Sequence, residues 1–278
     1  MAATAPASPA GPAIGTNAWA TISRVFEHRA LQYRRTFRAS VFGSFVTPLF
    51  FLGSIGLGLG GYVDRSSGSA ALGGLTYLQF LAPGLLAATV MQTAAFEGMF
   101  PVMGGLVWNR VFHAMFATPI SGRDIALGNL AWVAVRLTLV AGVFTAVVVL
   151  LGAAESPLIV LAVPTAVLTG MAFAAPIAAF AATQRNPEGF NAIWRFGITP
   201  LFLFSGTFFP IESLPSLIQP VAWLSPLYHG VALARGLATG TAFGNPLVAL
   251  VHVAVLSAIT IAGSVAFVRT AERRLLQG

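Results

Sequence analysis

Long apolar runs separated by short polar breaks set the pattern of this chain. Apolar stretches cover about 41–61, 76–100, 124–151, 157–182 and 246–268, and a shorter one covers about 190–209. A bilayer core of about 30 Å takes roughly 20 apolar residues per helix, so the five long runs are each sufficient to cross. The short run contains Arg195 and Pro200. As a span it must let the guanidinium reach the interface and tolerate a missing backbone N–H. The pattern predicts an all-α polytopic membrane protein with six transmembrane helices between about 41 and 270, followed by a short tail over 271–278.

Ahead of the first run the periodicity changes. Trp19, Ile22, Phe26, Ala30, Tyr33 and Phe37 recur at spacings of three and four, while Arg24, Arg34, Arg35 and Arg38 take other faces. This predicts an N-terminal interfacial amphipathic helix over 17–40, its aromatic stripe in the headgroup layer and its arginines toward anionic lipid. The alternative is a solvated basic helix that only fixes orientation. The residues before it, "MAATAPASPAGPAIG", lack a basic stretch followed by an apolar one, so 1–16 reads as a disordered tail and not as a signal peptide.

Two breaks between runs carry more than a turn needs. In "WNRVFHAMFATPISGRD", Trp108, Val111, Phe112, Met115 and Phe116 form a full helical stripe, with Asn109, Arg110 and His113 facing elsewhere. Pro119 stops this helix, and Ser121 with Asp124 resembles a capping box that starts the next. A short helix with one greasy and one polar side suits docking to a partner protein; the alternative is a helix resting on the membrane surface. In the second break, prolines at 210, 215, 220 and 226 cut 208–237 into short pieces too apolar to be comfortable as a plain surface loop.

Composition agrees with the hydropathy pattern, since 56% hydrophobic and 8% charged residues is far from a soluble domain. The net charge of +7 comes from fifteen basic residues, all arginine. Their placement is topological and does not indicate a nucleic-acid partner: twelve flank one side of the six runs, Arg65 and Arg235 lie on the other, and Arg136 lies inside a run. The positive-inside rule then puts both termini in the cytoplasm. With no cysteine there is no disulfide and no thiolate site, and the four histidines lack metal-ligand spacing, so no metal site is expected.

Two charges stand at membrane depth, Glu97 near the inner end of the second run and Arg136 in the third. Such charges are costly and often functional. They suit pairing with each other, contact with a substrate headgroup, or, for Glu97, a stabilising role at the helix end. Gly53, Gly56 and Gly60 in "GSIGLGLGG" allow close helix contact, within one chain or between copies. The phosphate-binding loop GxxxxGK[ST] needs a lysine, and this chain has none.

The run "YLQFLAPGLLAATVMQTAAFEGMF", the segment "WNRVFHAMFATPISGRDIALGNLAWVAVR" and the later "FLFSGTFFPIESLPSLIQPVAWLSPLYHGVALARGL" resemble the permease subunit of type-2 ABC exporters. The resemblance spans about 17–275 and is greatest to the branch that includes the nodulation-factor lipo-oligosaccharide exporter and drug-exporter permeases. It implies a dimer of permeases, homodimer before heterodimer, in the cell membrane. It also implies two copies of a separate ATP-binding subunit that holds ATP and magnesium, no cofactor on this chain, and no enzymatic activity of its own. The turn at about 108–118 would be the coupling helix, placing Trp108, Arg110, Phe112, His113, Met115, Phe116 and Thr118 against that partner. Glu97 and Arg136 would line a pathway for an amphipathic substrate: a glycolipid, lipid-linked saccharide or hydrophobic drug. Gly53, Gly56 and Gly60 would pack against the second copy, and 208–237 would form extracellular re-entrant short helices before the last span. The alternatives are a secondary, ion-coupled transporter, which needs inverted repeats and midplane acids, and a membrane-embedded lipid-modifying enzyme, which needs a clustered acid, base or metal set. The sequence displays neither.

Overall fold

The computed structural model describes residues 18–34, 42, 46, 49–65, 72–241 and 244–277. The N-terminal tail, the end of the interfacial helix and positions 41, 43–45, 47 and 48 of the first expected span lie outside the described residues. Those described are helical or in turns, with no strand among them. In chain order the helices are α1 (Ala18–Arg34), a π-helix Leu52–Leu59 continuing into α2 (Gly60–Arg65), α3 (Tyr77–Met103), α4 (Val111–Phe116), α5 (Gly122–Leu150) and α6 (Ala162–Thr183). Then follow α7 (Glu188–Ala192), α8 (Thr199–Phe204), α9 (Gln219–Leu224), α10 (Pro226–Thr239) and α11 (Pro246–Gln277).

Among the described residues four helices are long and apolar enough to cross a membrane: Tyr77–Trp108, Gly122–Leu150, Pro157–Thr183 and Pro246–Gln277. They match the second to fourth runs and the last. Tyr77–Trp108 is the central one, with 78% of its most apolar window buried against 17% for Pro246–Gln277. The run at 190–209 is helical without a break over 188–204, α7 passing through the π-helical stretch Ile193–Ile198 into α8. Pro200 sits in the first turn of α8 and cannot donate a backbone hydrogen bond to the stretch before it, and Arg195 is exposed.

Local chemistry fixes where the long helices begin. Thr76 and Gln79 form a reciprocal capping box at α3. Ser121 and Asp124 form the expected one at α5, with Asp124 N–H donating to Ser121 Oγ and Ser121 N–H to Asp124 Oδ2. Ser225 caps α10 ahead of Pro226, and Gly240 ends α10 at φ 79°, a conformation that favours glycine.

Small residues set the helix crossings. A Cβ at Gly98 of α3 would lie 2.8 Å from the Ala174 carbonyl oxygen of α6, and one at Gly170 of α6 would meet Leu137 of α5 at 2.6 Å. Gly263 of α11 lies against the ring of Pro176, and Gly230 of α10 against Thr169. Such close approach replaces the hydrophobic drive that lipid cannot provide. Of the three glycines singled out in the sequence, Gly56 makes an intramolecular crossing, where a Cβ would meet Leu78 Cδ1 at 2.4 Å; Gly60 lies beside Tyr77 at ordinary contact, and Gly53 faces open space.

α1 runs alongside α5 in the same direction. Thr21 Oγ1 donates to Asp124 Oδ2 at 2.9 Å, and the Arg136 guanidinium donates to the Tyr33 hydroxyl; both pairs are 103 residues apart. Val25 fits over Gly128 in the same register. The face turned to α5 is therefore Thr21, Val25, Phe26 and Tyr33, offset from the stripe expected at the headgroups. Phe26 and Tyr33 meet Trp132 edge-on, at 5.6 and 5.4 Å between ring centroids, while Trp19 is 78% exposed. The physical reason is the Gly128–Trp132 pair, a notch and a knob one turn apart.

The proline-rich segment divides as expected into short pieces: a 3-10 turn Ile211–Ser213, then α9 and α10. α10 is a core helix, with Leu227, Val231, Ala234 and Leu237 buried. Its partners lie in the half of the bundle opposite α4: Phe80 in the first turn of α3, Thr169 in α6 and His252 in α11. α9 carries the exposed side chains Val221, Trp223 and Leu224.

Candidate functional site

At one end of the bundle the turn between α3 and α5 holds α4. The expected single helix over 108–118 is broken in two. Trp108 ends a π-helical turn, Gly104–Trp108, that continues α3. Arg110 then takes φ 50°, ψ 24° before α4 begins at Val111. A left-handed arginine is costly, and it reorients α4 relative to α3. As a result Phe112, Met115 and Phe116 of the stripe turn inward, while Trp108 stays on the outside. Phe112 is 3% exposed, with its ring against Gly105, where a Cβ would be 2.6 Å away. Met115 and Phe116 pack partly buried on the same core. The outward surface is Trp108 (54% exposed), Asn109, Arg110, Ala114 and Thr118.

Beside α4 a cavity of about 240 Å³ is lined by Arg110, His113, Arg185, Arg274, Leu106, Val107 and Gln277. Among the described residues three guanidinium groups line it and no carboxylate does. Burial, then Arg110 and Arg274, push the His113 imidazole below its usual pKa. His113 Nδ1 is buried and without a hydrogen-bond partner. The histidine is thus held neutral in a positive field, a cleft suited to an anionic side chain or headgroup.

Glu97 and Arg136 meet, with Arg136 Nε 3.4 Å from Glu97 Oε1 and both side chains largely buried. The arginine also donates to the Tyr33 hydroxyl and lies over the Tyr33 ring, 4.4 Å from its centroid. α1, α3 and α5 are tied together through this one guanidinium. Against it opens a cavity of about 410 Å³ lined by α1, the end of α3 and Trp132.

Sequence spacing did not single out Arg235 or the histidine pair. Arg235 is partly buried in α10; Nη2 donates to the carbonyls of Gly206 (2.8 Å) and Phe80 (3.1 Å), Nε donates to Phe80 (3.2 Å), and the guanidinium stacks 3.7 Å from the Phe80 ring centroid. His229 and His252 meet Nδ1 to Nδ1 at 2.6 Å between α10 and α11. Both contacts join segments far apart in the chain, so no local signal could have marked them. Among the described residues no group of three His, Asp or Glu side chains could hold a metal.

The described residues form a bundle of helices apolar and long enough to span a membrane, with a short helix wedged at one end. The family model of ABC-2 type transporters matches residues 14–239, and the chain belongs to that family. More particularly, it is similar to Nodulation protein J of Rhizobium meliloti (strain 1021), 31% identical over 236 residues covering 85% of this chain and 86% of that protein. It is also 29% identical to Nodulation protein J of Rhizobium leguminosarum bv. viciae over 267 residues, 96% and 98% of the two chains. Against the protein of the same name from Rhizobium leguminosarum bv. trifolii the identity is 32% over 216 residues, 78% of this chain and 80% of that one. The chain is an ABC-2 type membrane permease, a transport subunit.

Proposed function

We propose that this permease is the membrane half of an ATP-driven exporter. It moves an amphipathic molecule, a glycolipid, lipid-linked saccharide or hydrophobic drug, out of the cytoplasm or inner leaflet of the cell membrane. Family membership over 14–239 carries the reading. In it the protein has six spans, both termini and α4 face the cytoplasm, and two permease copies associate with two copies of an ATP-hydrolysing subunit that holds ATP and magnesium. The absence of lysine supports a motor on another chain, because a phosphate-binding loop cannot be built here.

The outward residues flanking α4 (Trp108, Arg110 and Thr118) and the arginine cleft beside His113 supply the docking surface. Closure of the motor subunits pushes on α4, and because Phe112 is keyed into Gly105, the push passes directly to the end of α3. Glu97 and Arg136 stand where α3, α5 and α1 meet, so a displacement of α3 relative to α5 is felt at that pair. The spans then open a path toward the outer leaflet, beneath the short helices α9 and α10.

The native chain has no cysteine, which makes the test clean. His113→Cys crosslinks to the ATP-binding subunit in membranes, whereas Ser216→Cys labels only from outside. Nucleotide hydrolysis is absent from the purified chain and appears when the partner is added. His113→Cys accessible only from the exterior would invert the topology and overturn the exporter reading.

A further inference from the structure

The cavity between α1 and the α4 end of α3 contains a feature that the Glu97–Arg136 pair does not explain. Arg29 reaches into it from α1, and its Nε and Nη2, the two donors on one edge of the guanidinium, are buried and without a hydrogen-bond partner. A buried cation with unpaired donors is costly unless an anion completes it. The carboxylate that acts on it is Glu97, and Glu97 is already engaged by Arg136. Two guanidinium groups thus share one carboxylate, which leaves the site positive. The unoccupied Nε–Nη2 edge is the fork that matches two oxygens of a phosphate or sulfate.

The remaining wall is aromatic. Phe96, Phe100, Trp108 and Trp132 line the cavity, and Phe96 and Trp108 are more than half exposed, placing apolar rings at its mouth. Its volume of about 410 Å³ is in the range of small-molecule sites, roughly 300–1,000 Å³. It holds a headgroup and the first part of a chain. A purely hydrophobic cargo would leave Arg29 unpaired, and a cationic one would be repelled.

We infer that this cavity is a binding site for an anionic amphiphile whose tetrahedral oxyanion head, a phosphate or sulfate ester, is held by the Nε–Nη2 edge of Arg29 while its chain leaves between the aromatic rings. The inference rests on the exporter reading only in taking the ligand to be cargo or a regulating lipid from the inner leaflet; the binding itself needs no motor subunit.

The test uses the full chain in phosphatidylcholine nanodiscs, with Trp19, Trp194 and Trp223 replaced by phenylalanine so that emission reports Trp108 and Trp132. A single-chain alkyl phosphate brominated on the chain quenches saturably, and the matching brominated alcohol quenches only by partition. Arg29→Gln weakens the saturable phase at least about tenfold, the loss of a charge-assisted contact, and Arg29→Lys restores part of it. In the unmutated protein the alkyl phosphate protects Arg29 from phenylglyoxal, read by mass spectrometry, so the result does not depend on the variants folding. Equal quenching by phosphate and alcohol, or unprotected Arg29, overturns the proposal. Displacement of the alkyl phosphate by inorganic phosphate at equal concentration overturns the amphiphile part, because the site would then take the free ion. Failure of binding together with partner-stimulated ATP hydrolysis removes this inference alone; saturable binding without any partner ATPase removes the exporter reading alone.

Discussion

Replacing Gly98 and Gly142 by leucine tests whether the α3–α6 crossing is the support on which the site stands. Both are glycines in the interior of a long helix, and there leucine is favoured over glycine by somewhat under about 1 kcal/mol. Their surroundings are opposite. A Cβ at Gly98 would stand 2.8 Å from the Ala174 carbonyl oxygen, 3.2 Å from Ile177 Cγ2 and 3.3 Å from the Ala178 nitrogen, whereas a Cβ at Gly142 would meet nothing within 4 Å. Two of the three atoms facing Gly98 are backbone, so no rotamer change relieves them. Overpacking of this kind costs about 1–3 kcal/mol, and the helix-propensity gain leaves a net loss of up to about 2 kcal/mol. At roughly 2–4 °C per kcal/mol for a domain of comparable size, Gly98→Leu lowers the unfolding midpoint by up to about 8 °C. Gly142→Leu leaves it unchanged or raises it by up to about 3 °C, on the same two principles. The measurement is intrinsic tryptophan fluorescence on heating in one detergent at one scan rate, since midpoints of irreversible unfolding depend on rate. Gly98→Leu unfolding at or above the wild-type midpoint, or both variants moving together, would refute the crossing.

Other expectations follow from the same packing. Phe112→Ala empties a filled position against Gly105 and lowers stability by about 3–5 kcal/mol, while Trp108→Ala changes it by less than about 0.5 kcal/mol yet weakens ATPase coupling; thermal midpoints and partner-stimulated hydrolysis separate the two. Arg235→Lys keeps the charge but cannot bridge the Phe80 and Gly206 carbonyls, so stability falls by about 1.5–3 kcal/mol, the worth of one charged hydrogen bond, read in the same melt. His113 titrates below 6.5 in the folded chain because of burial, Arg110 and Arg274. Between 6.5 and that lower value the unfolded state holds more protons, so stability declines as pH falls below about 6.5 and is flat above it. His113→Gln removes this histidine's share of that slope, and an NMR titration of His113 with a midpoint at or above 6.5 would refute it.

The N-terminal helix shows how far periodicity alone reaches. Ala18–Arg34 is helical as its spacing requires, but the spacing of apolar residues cannot tell a lipid-facing stripe from a protein-facing one, because both solvents are apolar. The choice was made by Gly128 and Trp132, a hundred residues later in the chain. The turn at 108–118 gives the same lesson. Its apolar residues are helical, yet the left-handed Arg110 aims Phe112, Met115 and Phe116 into the bundle and leaves Trp108 outside, and nothing in the side-chain pattern encodes a backbone dihedral at an arginine.

What the sequence determined by itself is whatever depends on local chemistry and on the bilayer. The four long helices at Tyr77–Trp108, Gly122–Leu150, Pro157–Thr183 and Pro246–Gln277 follow from long apolar runs. Helix starts at Thr76 and Ser121 follow from capping, the breaks in 208–237 follow from proline, and the absence of a phosphate-binding loop follows from the absence of lysine. Glu97 and Arg136 stood out because charge is conspicuous in hydrocarbon. The tertiary structure alone decided which charges meet and which stay unpaired: Arg136 with Glu97 and Tyr33, Arg235 with two carbonyls, His229 with His252, and Arg29 with no hydrogen-bond partner at Nε and Nη2. Pairings between distant segments depend on helix register and crossing distance. Those are fixed by single glycines and ring contacts whose partners are separated by tens of residues, and no repeat along the chain records them.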